Sequence, residues 1–296
     1  MPVRVETDKY LRERIKYADN SFPFGIFRDD YRDFSDRTLN YHWHYDFEFS
    51  VVLSGAVDYY INDNYVNMQK GDCIFINSNA LHMGRQPDNC ERTVMFTVTF
   101  PASLLCADSS SYIFEKFFQP VLSSRVAGFK AASDDPSGQE LRDHLMGISS
   151  LEGTCFGYEL ECFLRAGQLW MAALRRIEEN ENGMLLHAGS AQQAERMKAI
   201  LSYVHANYGK KITVDAIAQF VNVSRAECFR CFKRFINKHP VEYINEYRLL
   251  KAAKLIKETE KSITEIYSEC GFENASYFSR LFRDKYSLTP IQYRNA

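Results

Sequence analysis

Ser224-Arg225-Ala226-Glu227-Cys228-Phe229-Arg230-Cys231-Phe232-Lys233 and Asn274-Ala275-Ser276-Tyr277-Phe278-Ser279-Arg280-Leu281-Phe282-Arg283 are one element written twice, 50 residues apart. Arg230 matches Arg280, Phe232 matches Phe282 and Lys233 matches Arg283; beyond them Pro240 matches Pro290 and Tyr243 matches Tyr293. The first copy starts on Ser224, suited to cap a helix, and both carry apolar residues on one face and basic residues on the other. Upstream of each lies a short apolar helix and a tight turn. Val214 to Phe220 and Ile263 to Glu269 are the support helices; Val221-Asn222-Val223 and a turn starting at Cys270-Gly271-Phe272 are the turns. This is the grammar of a helix-turn-helix. Two such units on one body suit two successive major grooves of one DNA face. Ile217 pairs with Ile266 at an offset of 49, so the second turn is one residue longer.

On the second helix of each unit, Cys228, Phe232, Phe278 and Phe282 fall on the buried side. The outward candidates are Arg225, Ala226, Phe229, Arg230 and Lys233 in the first, and Asn274, Ala275, Ser276, Ser279, Arg280 and Arg283 in the second. A guanidinium can hold guanine O6 and N7 together, so Arg230 and Arg280 are the base-reading candidates. Lys233, Arg283 and the backbone amides at the helix starts suit phosphates. A single outward charge is as readily a solvated helix face; matched charges in two copies argue against that. Cys228 and Cys231 form a single C-x-x-C, which lacks the second pair or histidines a zinc site needs and reads as packing, with redox sensing as the alternative.

Charge divides along the chain in the same way. The net charge of −2 hides 18 basic against 11 acidic residues in 192–296, and 18 against 27 in the remainder. A basic C-terminal module points to a polyanion as its partner. No stretch reaches the ~20 apolar residues of a membrane span, and Arg4 to Lys16 is followed by no apolar core of a signal peptide. Eight cysteines without disulfide-rich spacing in 296 residues predict reduced thiols in a cytoplasm.

The N-terminal part predicts a separate β-rich domain. Residues 1–40 read as an ordered arm or first strands. Phe47 to Leu53, Val57 to Ile61, Cys73 to Ile76 and Thr93 to Phe100 read as short strands between Gly, Asn and Asp turns, a small barrel or sandwich. From about residue 110 the pattern turns helical. Over 157–180 a stripe of Leu160, Phe163, Leu164, Gly167, Met171 and Leu174 predicts packing onto the barrel or a dimer interface. Residues 179–192 read as a linker, dividing the chain into 1–186 and 187–296. Ser224/Glu227 and Ser262/Glu265 fit capping boxes, and Thr289-Pro290 an N-cap with Pro at the first helical position.

One constellation in the β-rich part carries chemistry. In His42-Trp43-His44-Tyr45-Asp46-Phe47-Glu48, strand alternation places His42, His44 and Glu48 on one face and Trp43, Tyr45, Phe47 and Phe49 on the core side; His82 follows Gly71 by eleven residues. Three imidazoles and a carboxylate suit Zn, Fe, Mn or Ni. They equally suit a metal-free polar pocket, or a structural hydrogen-bonded group. The chain shows no Gly-rich phosphate loop, nucleophile elbow or triad spacing, so no catalytic residue and no cofactor are assigned.

Residues 197–294 resemble the C-terminal domain of the AraC/XylS family of transcription regulators. The resemblance rests on Ile263-x-x-Ile266, Gly271-Phe272, Tyr277-Phe278-Ser279-Arg280-Leu281-Phe282-Arg283, Thr289-Pro290-x-x-Tyr293-Arg294, and a bridging helix over Pro240 to Lys257 with Arg248, Ala252 and Ala253. Ala226 and Phe229 depart from the pattern where longer or polar readers often sit, and Tyr267 replaces the small residue that Ala218 provides. The histidine constellation resembles the two cupin motifs, the first in full and the second in part, with Asn77 and Asn79 in place of its Pro and Gly. The resemblance implies a cupin-like barrel with appended helices followed by an all-α domain of two helix-turn-helix units. It implies a small-molecule effector, a sugar or catabolic metabolite, held by His42, His44, Glu48 and His82. It also implies promoter DNA as partner, a homodimer, and activation through RNA polymerase ahead of repression. The alternative is a cupin metalloenzyme fused to a DNA-binding domain.

Overall fold

The computed structural model describes residues 5–179, 185–187 and 191–295. The chain divides into two compact units, Met1–Ala194 and Glu195–Ala296.

In the first unit, β1 (Gly25–Asp30), β8 (Val94–Phe100), β3 (Phe47–Ser54), β6 (Cys73–Ile76), β9 (Val126–Ala131) and β10 (Leu185–His187) form a six-stranded sheet in that order. A four-stranded sheet runs β2 (Thr38–His42), β7 (His82–Arg85), β4 (Ala56–Ile61), β5 (Asn64–Gln69). Every pairing is antiparallel. The central strand β3 shows why the six-stranded sheet is buried on both faces. Phe47, Phe49 and Val51 point to a core shared with helices α4 (Pro136–Ser149) and α5 (Tyr158–Glu179), where Phe47 stacks on Trp170 at 4.2 Å. The alternate residues, Glu48, Ser50 and Val52, point between the sheets, where Val52 joins Tyr31, Tyr59, Ile61, Met68 and Ile74 in a second core. Three short helices, α1 (Ala102–Leu105), α2 (Tyr112–Phe117) and α3 (Gln119–Leu122), connect β8 to β9.

Several expectations are corrected. The helical region after residue 110 contains β9, whose Val126, Ala127, Phe129 and Ala131 are all buried; a six-residue strand buried on both faces has no period by which to declare itself. The His42–Glu48 stretch is not one strand. The chain leaves the four-stranded sheet after His42 and enters the six-stranded sheet at Phe47. Tyr45, expected in the core, therefore lies on the crossing segment and is 59% exposed. Of the α5 stripe only Leu174 packs against the core; Leu160, Phe163, Leu164 and Met171 are exposed, while Cys162, Ala166, Leu169, Trp170 and Ala173 face the core. Of the 179–192 stretch expected as a linker, 180–184 and 188–190 lie outside the described residues, and Leu185–His187 is the edge strand β10.

The second unit is helical: α6 (Ala191–Asn207), α7 (Val214–Phe220), α8 (Arg225–Phe235), α9 (Pro240–Glu258), α10 (Ile263–Glu269), α11 (Ala275–Tyr286) and α12 (Pro290–Asn295). Leu249, Ala252, Ala253 and Ile256 of α9 bury against Ile266, Phe272, Phe278 and Phe282.

Candidate functional site

The two helix-turn-helix units repeat each other down to single backbone bonds. Val223 N donates to Ala218 O at 2.9 Å, and Phe272 N to Tyr267 O at 3.0 Å. The turn residue of each takes the left-handed conformation, Asn222 at φ +53° and Gly271 at +79°. The residues ending the second helices do the same, Asn237 at +55° and Ser287 at +57°. Ser224 Oγ accepts from Glu227 N, and Asn274 Oδ1 from Tyr277 N, so both outward helices begin with a capped end. Ser262/Glu265 forms the full reciprocal box. Ser224/Glu227 forms only half of it, because the Glu227 carboxylate turns to Arg230.

On α8, Arg225, Ala226, Arg230 and Lys233 are exposed; on α11, Asn274, Ala275, Ser276, Arg280 and Arg283 are, with Ser279 half-buried. Phe229 is half-buried, its ring edge-on to His239 at 6.2 Å and beneath the Arg225 guanidinium. Arg225 reaches Asp215 at 3.1 Å, and Arg280 lies over the Tyr277 ring at 5.5 Å. Cys228 and Cys231 are buried, and burial pushes the Cys228 thiol up to about 11. A buried thiol in its neutral form is a packing group rather than a redox switch. Arg248 of α9 donates from Nε to Tyr208 O and from Nη2 to Lys210 O, pinning the segment after α6 against the second unit's turn.

In the barrel, His42, His44, Glu48 and His82 are all buried, and one donor atom from each lies within 4.8 Å of the others. Four elements bring them together. His42 and His82 are cross-strand partners on β2 and β7, His44 comes from the crossing segment, and Glu48 comes from the opposite sheet. Glu48 Oε1 accepts from Ser50 Oγ at 2.9 Å and from Tyr59 OH at 3.1 Å. Its Oε2 lies 3.2 Å from His44 Nε2 and 3.4 Å from His82 Nε2. Burial opposes the Glu48 charge, but these imidazoles hold its carboxyl well below the usual range. Burial, then the neighbouring His82 and His44, drives His42 well below its ordinary value, so it is neutral.

Four participants were not anticipated from sequence. Ser50 and Tyr59 support Glu48. The carboxyls of Glu13, raised to about 8 by burial and by Glu48, and of Asp29, raised to about 7 by burial and by Glu48, lie within reach of its charge. Ser50 follows the alternation of β3 and was readable from it; Glu13 lies 29 residues before His42 in a segment without strand pattern and gave no signal. The cluster suits recognition of a cation, or of a ligand rich in oxygen that can both donate to carboxylates and accept from hydroxyls.

Residues 26–162 match the profile of the AraC-like ligand binding domain, and residues 217–296 match a helix-turn-helix domain. The HTH-type transcriptional regulator YdeC of Bacillus subtilis is 26% identical over 291 residues, covering 97% of each chain. The HTH-type transcriptional activator RhaS of Escherichia fergusonii is 24% identical over 255 residues, 85% of this chain and 86% of that one. A solved AraC-type DNA-binding domain from Chromobacterium violaceum is 34% identical over 34% of this chain and 89% of its own, with a TM-score of 0.33. With a ligand-binding domain at its N-terminus and two helix-turn-helix units at its C-terminus, the chain belongs to the AraC family of transcriptional regulators.

Proposed function

We propose that the protein is a homodimeric, effector-responsive promoter-binding regulator. In this reading α8 and α11 enter successive major grooves. Arg230 and Arg280 read bases, and Lys233, Arg283 and the capped helix starts hold phosphates. The observation that carries it is the backbone repeat: two capped helices with exposed basic faces, on one spine of α9. Ala226 and Ala275 are too short to select by hydrogen bonding, and Phe229 is engaged by His239, so these contribute shape alone.

The effector is read by His42, His44, Glu48 and His82. Imidazole nitrogens, a carboxylate and the hydroxyls of Tyr59 and Ser50 match a hydroxyl-rich catabolic metabolite such as a sugar. The exposed apolar face of α5 supports self-association. An effector changes promoter affinity by its differential affinity for two arrangements of the protein. Activation, through contact with RNA polymerase, is the direction the resemblance to named activators supports. Regulation in a cytoplasm is favoured over catalysis by a cupin metalloenzyme because relatives across the whole length are named regulators; no helix among the described residues is long and apolar enough to cross a membrane.

Selection of bound duplexes from a random DNA pool by the full-length protein tests the reading. The expected product is two short conserved blocks about 10 base pairs apart, one for each unit. Recovery of unselected sequence would overturn it. In parallel, a panel of sugars should raise the melting temperature with one saturable hit; a hit that survives His44→Ala places the effector elsewhere.

A further inference from the structure

Arg230 and Arg280 occupy matched positions, and each is held by the residue three before it on its own helix. The two holders also match at the offset of 50, yet their chemistry differs: Glu227 in the first unit and Tyr277 in the second. Glu227 Oε2 takes Arg230 as an ion pair, 2.7 Å from Nε and 2.5 Å from Nη2. The Arg280 guanidinium lies 5.5 Å from the centre of the Tyr277 ring and, among the described residues, makes no ion pair. A carboxylate occupies the donors of a guanidinium and offsets its charge. A ring face attracts the cation but leaves its N–H groups free. Arg280 therefore meets DNA with its donors and charge intact, whereas Arg230 first exchanges one anion for another.

A ring orients a cation only if the ring is itself fixed, and Tyr277 is 39% exposed on the first turn of α11. Two contacts fix it. Asn245 Nδ2 donates to Tyr277 OH at 3.0 Å. The ring also leans on Phe272, with centroids 6.4 Å apart and planes at 59°. Phe272 is buried in the turn after Gly271, and the Arg248 guanidinium lies 5.7 Å over its ring. Asn245 and Arg248 both belong to α9, outside either helix-turn-helix unit, and their spacing of three places them on one face of that helix. The helix that supplies the core of the second unit thus also sets the direction of one of its outward side chains. The first unit is built otherwise, because Arg230 and Glu227 complete their pair within α8. A guanidinium held in place before binding loses less side-chain freedom when it meets a base, and it presents its bidentate edge in one direction only.

We propose that Tyr277 and Asn245 are positioning residues for DNA recognition by the second unit: Asn245 fixes the Tyr277 ring, and the ring aims Arg280 at its base. The proposal rests on the functional reading above, in which Arg280 contacts a base.

Anisotropy titrations of the full-length protein test it, on a selected duplex and on duplexes changed at single base pairs in either conserved block. Arg280→Ala identifies the block of the second unit as the one where base changes cease to matter. Tyr277→Leu removes the ring and should lower discrimination in that block about threefold, the worth of an exposed cation–π contact. Tyr277→Phe keeps the ring and loses the hydroxyl, and Asn245→Ala loses the same hydrogen bond from its other end. Each should lower discrimination there about twofold, and the double variant no further than either alone. Discrimination in the first block is the internal control and should hold in all four variants. A loss spread equally over both blocks would make the pair a general support of the fold and overturn the proposal. Full discrimination in Tyr277→Phe and Asn245→Ala, beside its loss in Arg280→Ala, overturns the proposal and leaves the base contact standing. A loss in Tyr277→Phe with none in Asn245→Ala would mean that Tyr277 touches DNA itself, and overturns the role of Asn245. Unchanged discrimination of both blocks by Arg280→Ala overturns the base contact, and the proposal with it.

Discussion

Arg230 Nε lies 2.7 Å from Glu227 Oε2, one turn back along the same helix, and the pair is what leaves the Ser224 capping box half-made. The guanidinium proposed to read a base is therefore held on a carboxylate in the free protein. The exchange is inexpensive, since the Arg230 side chain is 70% exposed and an exposed ion pair contributes only ~0.2–1 kcal/mol.

That relationship gives two opposed substitutions. Arg230→Ala should cost about 1–3 kcal/mol on a selected duplex and little on random DNA. Glu227→Gln should instead tighten binding by a few-fold, by freeing Arg230 and removing a negative charge from the interface. Anisotropy titrations on both duplexes decide it: equal weakening by Arg230→Ala on both would reassign Arg230 to phosphate.

Lys233 makes the contrasting case. Exposed on the last turn of α8, it should act on DNA as a charge. Lys233→Ala should weaken selected and random duplexes alike and reduce the slope of log K against log salt by about one. A loss confined to the selected duplex would make Lys233 a base reader.

The two turns predict a difference in stability. A Cβ on Gly271 would stand 2.3 Å from Tyr208 O, at φ +79°. Gly271→Ala should therefore destabilise the second unit by about 2 kcal/mol or more. At the matching position Asn222 holds φ +53°, so Asn222→Gly should be nearly neutral. Chemical denaturation of the two variants measures this, and equal losses would mean the turns are not equivalent.

The C-terminal repeat was legible because each of its signals is local: caps, a turn residue tolerant of positive φ, and an apolar stripe of helical period. The barrel was only half legible. Phe47 to Leu53 and Cys73 to Ile76 announced themselves as apolar runs, but Asn64–Gln69 and His82–Arg85 are short, polar and decided by their partners across the sheet. Alternation grouped His42, His44 and Glu48 correctly for the wrong reason, since the chain changes sheets between them. Glu13 was beyond sequence reading altogether. Its place depends on Leu11 entering a conformation that leucine avoids, and such a choice is made by tertiary packing. The stripe on α5 was seen, but periodicity reports an apolar face without saying what covers it, and most of this one is exposed rather than packed on the barrel.

His205 predicts a pH dependence for the DNA-binding unit. Its ring stacks on Tyr247 at 3.8 Å, and its Nε2 lies 2.8 Å from Tyr243 OH. Burial, with a smaller contribution from Lys251, lowers it to about 3, against about 6.5 in an unfolded chain. The unfolded state thus binds the proton more readily than the folded one. The stability from keeping this ring neutral is complete above about pH 6.5 and is lost as pH falls from there toward 3. Between pH 7.5 and 5.5 the loss should be about 1 kcal/mol. Amide exchange along α6, corrected for intrinsic rates, should report it as faster opening at the lower pH. His205→Phe preserves the stacked ring and removes the titration, so its protection should stay level between the two pH values. A wild-type protein equally level would mean that His205 is protonated in place without disturbing its stack.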